Sequence, residues 1–502
     1  MPEALAAAFG PPREFAAIDI GSNSVRMVLY RLEGRAVWTV FNEKVLAGLG
    51  RDLSLTGRLS EDGAAIALTA LKRFAAVIDG VRPAQTFVAA TAAVREAADG
   101  QAFCERVAAE TGLLIRVLSG EEEARYAALG VIAGMPTARG VAADLGGASL
   151  ELVRIGDNGV ERGVTLPLGP FSLSGEGPFD AATLRQTVAK RLKPAGDFRT
   201  DTLYAVGGAW RTLAQVHMGH TRYPLHVVHQ YVMEADEARD IARLIARSSR
   251  ASLESWKGLS KRRAETLPHA AVVLEGLIER LGLERIVLSA WGVREGLLYE
   301  ALDEETVAAD PLLAGCTALG ARQGISPGLP GALLGWLEPI IAALPPAFGA
   351  ERDRTLADAA CRLADLGARL HPDHRVELAF DQVLRAPIAG QTHAERAWLA
   401  TAVNARYGGG ASTPDPDTVR RLLTDEQRTT ARALGLAIRL ACDLSGRAPQ
   451  LLVNAHVAIH DGVLALSASD GYADVLLGEQ TRRRGKALAE AMGLKLDIRT
   501  AA

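Results

Sequence analysis

Two short stretches carry side chains whose types and spacing suit chemistry on phosphate. "DIGSNS" (Asp19 to Ser24) and "DLGGAS" (Asp144 to Ser149) each end an apolar, strand-like run on a carboxylate and turn at once through small residues. Asp144 follows Asp19 by 125 residues, and Gly146 follows Gly21 by the same 125. Glycine and serine after a strand let backbone N–H groups point into a small concavity that cradles phosphate oxygens, and Ser or Asn side chains add donors. The candidate phosphate-binding residues are Gly21, Ser22, Asn23 and Ser24 in the first loop and Gly146, Gly147, Ala148 and Ser149 in the second. A carboxylate at the head of such a turn repels phosphate but can hold Mg²⁺, which bridges to phosphate oxygens. The plain structural alternative is an aspartate capping a tight turn. It explains one copy far better than two copies at a fixed interval.

Glu121, Glu122 and Glu123 follow Ser119-Gly120. Acidic residues suit the first turn of a helix, and Ser119 with Glu122 forms an S-x-x-E capping box. That leaves Glu123, one position further on, with no capping duty. Glu151 lies seven residues after Asp144. Strand alternation puts it on the face opposite Leu150 and Leu152, which is either solvent or a cleft. Arg95, just after a strand in "TAAVREA", could grip a terminal phosphate through two parallel hydrogen bonds; the alternative is an exposed helical arginine paired with Glu96 or Asp99.

Positioning these groups takes strands. Phe15–Ile20, Val25–Tyr30, Ala36–Phe41 and Phe87–Ala90 are short apolar or β-rich runs,. The second half repeats the plan with Val141–Leu145, Leu150–Ile155 and Val160–Leu166, the last two joined by the turn signal Asp157-Asn158-Gly159,. "LYAVGGAWRTLA" and "IVLSAWGVREGLLYE" each predict strand, glycine turn, helix. A helix is expected from Ser60, with Ile66, Ala70, Phe74, Val77 and Ile78 on one face and Gly80 after its end,. The repeat reads as a duplicated domain, two lobes facing across a cleft.

Beyond about Thr306 the pattern turns helical, with loops at "SPGLPG", "HPDHR" and "YGGGASTPDPD",. After Gly446 two strands around Asp461-Gly462, then a helix and a strand, suggest a small terminal α/β unit. The expected domains are a disordered lead-in (1–12), two lobes (13–133 and 134–305), a helical domain (306–445) and the terminal unit (446–502).

Composition narrows the classes. A net charge of −3 with 23% charged residues argues against generic nucleic-acid binding,, so a polyanion needs a local basic track. Lys257…Lys261-Arg262-Arg263 and Arg482-Arg483-Arg484…Lys486 are candidates, each otherwise a solvated helix face. The cysteines (Cys104, Cys316, Cys361, Cys442) form no CxxC pair and suit a reducing cytoplasm,. No run of about 18 apolar residues suggests a membrane span,. His217, His220, His226 and His229 crowd one stretch, but Pro224 interrupts any single helix, and on a strand His226 and His229 would point to opposite faces; zinc is not expected there.

In order along the chain, "DIGSNSVRMVLY", "ATAAVREA", "LSGEEEARYAALGV", "DLGGASLEL", "VGGAWRTLA", "RRAETLPHAAVVL" and "WGVREGLLYE" resemble the motifs of the Ppx/GppA phosphatases over roughly residues 13–305. The resemblance implies an α/β fold with two actin/hexokinase/Hsp70-like (RNase H-like) lobes, then an all-α HD-like domain and a small C-terminal α/β domain. It implies exopolyphosphatase activity, with guanosine pentaphosphate (pppGpp) as the alternative substrate. Glu123 becomes the catalytic base, with Glu122 the less favoured choice. Asp144 and Glu151, with Asp19 through water, become Mg²⁺ ligands; other divalent ions or a monovalent cation are further options. Arg95 joins the phosphate site, and Gly207 and Gly208 border the substrate path. Arg294 is a weaker candidate that could simply anchor a helix start. A homodimer in the cytoplasm is implied. Ala148 replaces a glycine of the family's second loop, and "LADLGARLHPDHR" lacks the His-Asp pair of metal-binding HD domains. Rival readings are an actin-like ATPase or kinase and a catalytically dead polyphosphate-binding protein.

Overall fold

The computed structural model describes residues 11–174, 179–256, 259–322, 326–408, 410 and 412–499, without the side chain of Arg262. The first ten residues of the expected lead-in, and Lys257, lie outside the described residues. The chain forms two compact units, one of Arg13–Leu32 and Trp38–Val307, the other of Ala308–Ala502 with Glu33–Val37.

The first unit holds two sheets. Strands β1 (Arg13–Ile20), β2 (Val25–Glu33), β3 (Ala36–Val45), β4 (Gln85–Ala90) and β5 (Arg116–Val117) lie in the order β3-β2-β1-β4-β5. Strands β6 (Gly140–Leu145), β7 (Leu150–Gly156), β8 (Gly159–Leu166), β9 (Thr202–Val206), β10 (Val232–Glu234) and β11 (Arg285–Leu288) lie in the order β10-β11-β9-β6-β7-β8. Read from β8, the second sheet repeats the first, with β10 added at the edge. In both, the first two strands form an antiparallel hairpin and the fourth runs parallel to the first. Phe15 to Ile18 and Val141 to Ala143 are continuously buried, as central strands covered on both faces require. The register sets Asp19 directly opposite Arg26 and Asp144 directly opposite Glu151.

Helices α1 (Glu61–Val81) and α2 (Gly100–Thr111) cover the first sheet. The buried stripe of α1 runs through Ala67, Leu71 and Phe74. Ile66 is exposed and Gly80 lies inside the helix, both contrary to the sequence pattern, because an alanine-rich helix carries a weak apolar phase. Ser60 is its N-cap by position, but its side chain makes no capping bond. The other helices of this unit that matter for the site are α3 (Gly120–Gly134), α4 (Ala181–Arg191), α5 (Gly208–His220), α6 (Ala235–Arg247), α7 (Lys261–Leu281) and α8 (Val293–Glu300).

Helices α3 and α8 join the lobes. Ala124, Ala128 and Val131 of α3 pack on Ala142, Val153 and Val206 of the second sheet. Its other face, with Tyr126, meets Leu297 of α8 against Ala89 of the first sheet. The two helices cross through glycines. A Cβ on Gly130 would lie 2.1 Å from the Gly292 carbonyl oxygen, and one on Gly296 would lie 1.9 Å from that of Tyr126. Tyr30 of β2 donates to the buried Glu295 carboxylate, pinning α8 to the first sheet.

The second unit contains α9 (Pro311–Ala321), α10 (Leu329–Ala343), α11 (Ala350–Arg362), α12 (Arg375–Arg385), α13 (His393–Tyr407) and α14 (Asp425–Ser445). α10 starts inside the expected loop at residues 326–331. A three-stranded sheet follows, with β12 (Ala455–His460), β13 (Val463–Ala468) and β14 (Lys495–Arg499) in that order, and α15 (Glu479–Ala491) precedes β14. The hairpin turns at Asp461-Gly462, both with positive φ. No described helix is long and apolar enough to cross a membrane.

Gly296→Ala has to push α3 and α8 apart. It is expected to cost at least about 1–3 kcal/mol, seen as a lower thermal midpoint with secondary structure retained by circular dichroism. Gly335→Ala, in the exposed middle of α10 with nothing near its Cβ position, should be neutral or stabilising by up to about 1 kcal/mol.

Candidate active site

The ends of β1 and β6 open into one cleft of about 440 Å³, bordered by both loops, Asp19, Asp144, Glu123 and the glycine turn at Gly207-Gly208. The loops are built alike. Gly21 N–H donates to the Ser24 carbonyl at 3.0 Å, and Gly146 N–H donates to the Ser149 carbonyl at 3.0 Å. These two amides are therefore spent on the turns. The amides of residues 22–24 and 147–149 have no protein acceptor among the described residues, and they are the donors left for an anion. The loops face each other: a Cβ on Gly147 would stand 3.1 Å from the Ser22 Cβ. The Asn23 side-chain oxygen is buried without a partner. Ala148 does not adopt positive φ, and neither do Gly146 and Gly147, so its methyl group adds no backbone strain.

Glu123, 6% exposed, is the fourth residue of α3. The capping box takes Glu122, which accepts from the Ser119 amide while its own amide donates to the Ser119 hydroxyl; Arg116 also pairs with Glu122. Arg95 Nη1 donates to Glu123 Oε2 at 3.0 Å and to the Leu118 carbonyl at 2.8 Å. Arg95 is thus the partner of Glu123, with Nη2 3.7 Å from Glu96. Burial raises the Glu123 pKa, and the Arg95 hydrogen bond works against that rise.

Asp144 is half-buried at the cleft, and desolvation together with the charges of Glu123 and Asp19 lifts its pKa to about 7. Glu151 is 1% exposed and both its carboxylate oxygens lack a hydrogen-bond partner of good geometry. Burial first, then Glu123 and Asp144, push its pKa up. The solvent-facing alternative for Glu151 is excluded, since Leu150 to Val153 are all buried. Asp19 stands differently, because Arg294 Nη1 lies 3.0 Å from its Oδ2. Arg294 is itself largely buried; burial opposes its charge, but Glu295, Tyr30 and Asp19 outweigh that and raise its pKa.

No three His, Cys, Asp or Glu side chains gather closely enough to hold a metal by themselves among the described residues. The Asp144–Glu151 pair, in which both Glu151 oxygens are buried without a partner, nevertheless fits a divalent cation that takes its remaining ligands from water and substrate oxygens, as Mg²⁺ commonly does. Buried unpaired carboxylates are costly without such a counter-charge.

The cleft wall also carries Arg26, Lys44, Arg211, Arg263 and Arg294. Of these, sequence reasoning named Arg263 within a surface cluster and Arg294 as a helix anchor, and it passed over Arg26, Lys44 and Arg211. Arg26 and Arg211 sit inside the quoted motifs, and Arg26 takes the place in its loop repeat that Glu151 takes in the other. Gly208 leaves room for Arg263, whose guanidinium lies 2.5 Å from the position a Cβ would take. Gly207, with φ of 109°, lies against the Leu145 carbonyl and Asp144.

The histidine-rich stretch serves packing. His217 Nδ1 is 2.7 Å from the Tyr231 hydroxyl, and His229 Nδ1 accepts from the Ala290 amide. Residues 225–229 form no strand, so the expected opposition of His226 and His229 across one does not hold. In the second unit, Arg484 of the other basic cluster pairs with Asp443 at 2.7 Å.

A model of the Ppx/GppA phosphatase family matches residues 28–305, and one of the exopolyphosphatase C-terminal region matches residues 330–498. Exopolyphosphatase 1 of Mycobacterium leprae is 27% identical over 303 residues, covering 57% of this chain and 89% of that protein. Exopolyphosphatase 1 of Mycobacterium tuberculosis is 27% identical over 305 residues, covering 57% and 88%. Among solved structures, a Ppx/GppA family member from Aquifex aeolicus superposes with a TM-score of 0.51 at 26% identity, over 57% of this chain and 97% of that one. An exopolyphosphatase from Cytophaga hutchinsonii shares the fold, with a TM-score of 0.53 at 22% identity over the same shares. With its duplicated lobes, facing loops and buried glutamate, and with more than half its length matched, the chain belongs to the Ppx/GppA phosphatase family.

Proposed function

We propose that the two-lobed unit is an exopolyphosphatase, releasing terminal orthophosphate from inorganic polyphosphate with the help of Mg²⁺. The observation that carries this reading is the pair of facing loops with free amides, closed at one side by Glu123 and walled by basic side chains. The names of the mycobacterial relatives support polyphosphate as the substrate class. In this reading the amides of residues 22–24 and 147–149 hold the end phosphate from two sides, and Nη2 of Arg95 adds a donor. Glu123 receives a proton from the attacking water, while its Arg95 partner keeps it oriented and favours the ionised form at neutral pH. Asp144 and Glu151 would hold Mg²⁺, which when bound neutralises phosphate oxygens. Burial of these groups keeps competing water out and strengthens each electrostatic contact. In this reading residues 306–445 form an HD-like domain that lacks the metal-binding His-Asp pair, and residues 446–502 form a small terminal α/β domain, a division supported by the exopolyphosphatase C-terminal match over residues 330–498.

Glu123→Gln should lower kcat by roughly 10²–10⁴-fold, the worth of a positioned general base, with KM changed far less. The check is phosphate release from long-chain polyphosphate and from guanosine pentaphosphate, with and without Mg²⁺. Retained turnover in the variant would remove Glu123 from the base role, and wild-type release from guanosine pentaphosphate alone would replace polyphosphate as the substrate.

Asp144 also sets a pH dependence. Its folded pKa of about 7 exceeds the ordinary aspartate value near 3.9. The native state therefore binds the proton more tightly, so stability is greatest below about pH 4 as far as this group is concerned, and is lost as pH rises toward 7. The slope is roughly 1.4 kcal/mol per pH unit for one proton. In chelator-containing buffer, Asp144→Asn should melt higher than wild type at pH 8, with the difference shrinking toward pH 5. Identical melting curves across this range would show that Asp144 ionises normally.

A further inference from the structure

The second unit holds a cavity of about 530 Å³, within the range of roughly 300–1,000 Å³ usual for small-molecule sites. Its walls come mainly from α13, α14, the short helix Pro416–Leu422 and the last residue of α15. Two contacts hold α13 against α14. Trp398 Nε1 donates to Thr430 Oγ1 at 3.2 Å, and a Cβ on Gly435 would lie 2.1 Å from the Ala402 carbonyl oxygen. The cavity is thus framed by close-packed helices.

Charge and unmet hydrogen bonds mark what it would hold. Arg420, Arg428 and Arg432 line it, with Asp425 as the one carboxylate among the described lining residues. Arg428 and Arg432 are one turn apart on α14 and share a face. Arg428 is aimed by its bonds to Asp425 and to the Leu423 carbonyl. Arg432 makes no hydrogen bond or ion pair among the described residues, and its Nε is buried. Asn404 of α13 is 3% exposed, and no donor among the described residues reaches its buried Oδ1. Its Nδ2 has the Ser412 carbonyl, at 3.4 Å. Buried polar groups left unmet in this way are costly.

We propose that this cavity is a binding site for a small hydroxylated phosphomonoester, of the glycerol phosphate or sugar phosphate class. Three arginines against one aspartate leave a surplus of two positive charges, which the dianion of a phosphomonoester balances. Guanidinium forks suit its oxygens. Asn404 Oδ1 needs a donor; the phosphate dianion has none, and a hydroxyl group of the ester supplies it. No aromatic side chain lines the cavity among the described residues, so a nucleobase would find no ring to stack on. The site lies within the second unit and stands apart from the exopolyphosphatase reading.

The test is calorimetric binding of glycerol 3-phosphate, ribose 5-phosphate and inorganic phosphate to the full chain. Wild type is compared with Arg432→Gln, Arg420→Gln, Asn404→Leu and Arg482→Gln. Arg482 is exposed on α15 outside the cavity and controls for general charge. At least one ester should bind wild type about tenfold more tightly than inorganic phosphate does. Arg432→Gln should weaken that binding by about tenfold, as expected for a lost charge-assisted contact. Arg420→Gln, at an exposed position that folding tolerates, should weaken it too. Asn404→Leu should remove most of the preference for the ester over inorganic phosphate, and Arg482→Gln should change nothing. Absence of ester binding in wild type, or an affinity unchanged in Arg432→Gln and Arg420→Gln, would overturn the site. Equal weakening by Arg482→Gln would overturn it as well, by showing attraction through charge alone. Tripolyphosphate bound through Arg432 with neither ester bound would give the cavity to a phosphate chain and likewise end the proposal.

Discussion

Two helices crossing through glycine hold the catalytic unit in register. Because Gly130 and Gly296 carry no side chain, α3 and α8 approach to backbone contact. That contact fixes the angle between the sheets each helix touches. Glu123 rides on the first turn of α3 and Arg294 on the first turn of α8. A looser crossing would let the facing loops drift apart and uncouple Glu123 from Arg95. Close-packed interiors transmit such shifts rather than absorb them.

The electrostatics follow from that rigidity. Buried Glu123 makes both Asp144 and Glu151 harder to ionise, and Asp144 adds to that effect at Glu151. The cleft wall also carries Arg26, Lys44, Arg211 and Arg263, several of which repel one another. Neither group of charges is comfortable alone. In the proposed reaction a divalent cation and a chain of phosphates would satisfy both at once, the division a phosphoryl-transfer site asks for. The duplication supplied two equal platforms, and a single residue seven positions after each aspartate set their opposite signs.

Much of this was legible in the chain. The lobes were readable because strand, carboxylate and turn recur at one interval, and strand burial enforces a strong pattern. Glu123 could be separated from Glu122 because a capping box claims a fixed position. Other features were not legible. The phase of α1 was read wrongly around Ile66, since alanine at Ala67 and Ala70 hides the true stripe. Glu151 had two possible faces, and only the layer packed over β7 decided between them. Arg26 and Lys44 look like ordinary strand residues until the hairpin aligns them with Asp19. The pairing of Arg95 with Glu123 joins two elements with no shared local pattern.

The central claim is that the two loops face each other across one phosphate-binding crevice. A Ser22→Cys/Gly147→Cys double variant, with Cys104 replaced by serine, tests it directly. The Cβ separation of about 3.1 Å is a few tenths of an ångström short of disulfide spacing, a gap that small lobe motion supplies. Mild oxidation should link the pair, tripolyphosphate should slow the linking, and phosphate release should stop until a reductant restores it. Failure to link, or a linked protein with full activity, would contradict the account.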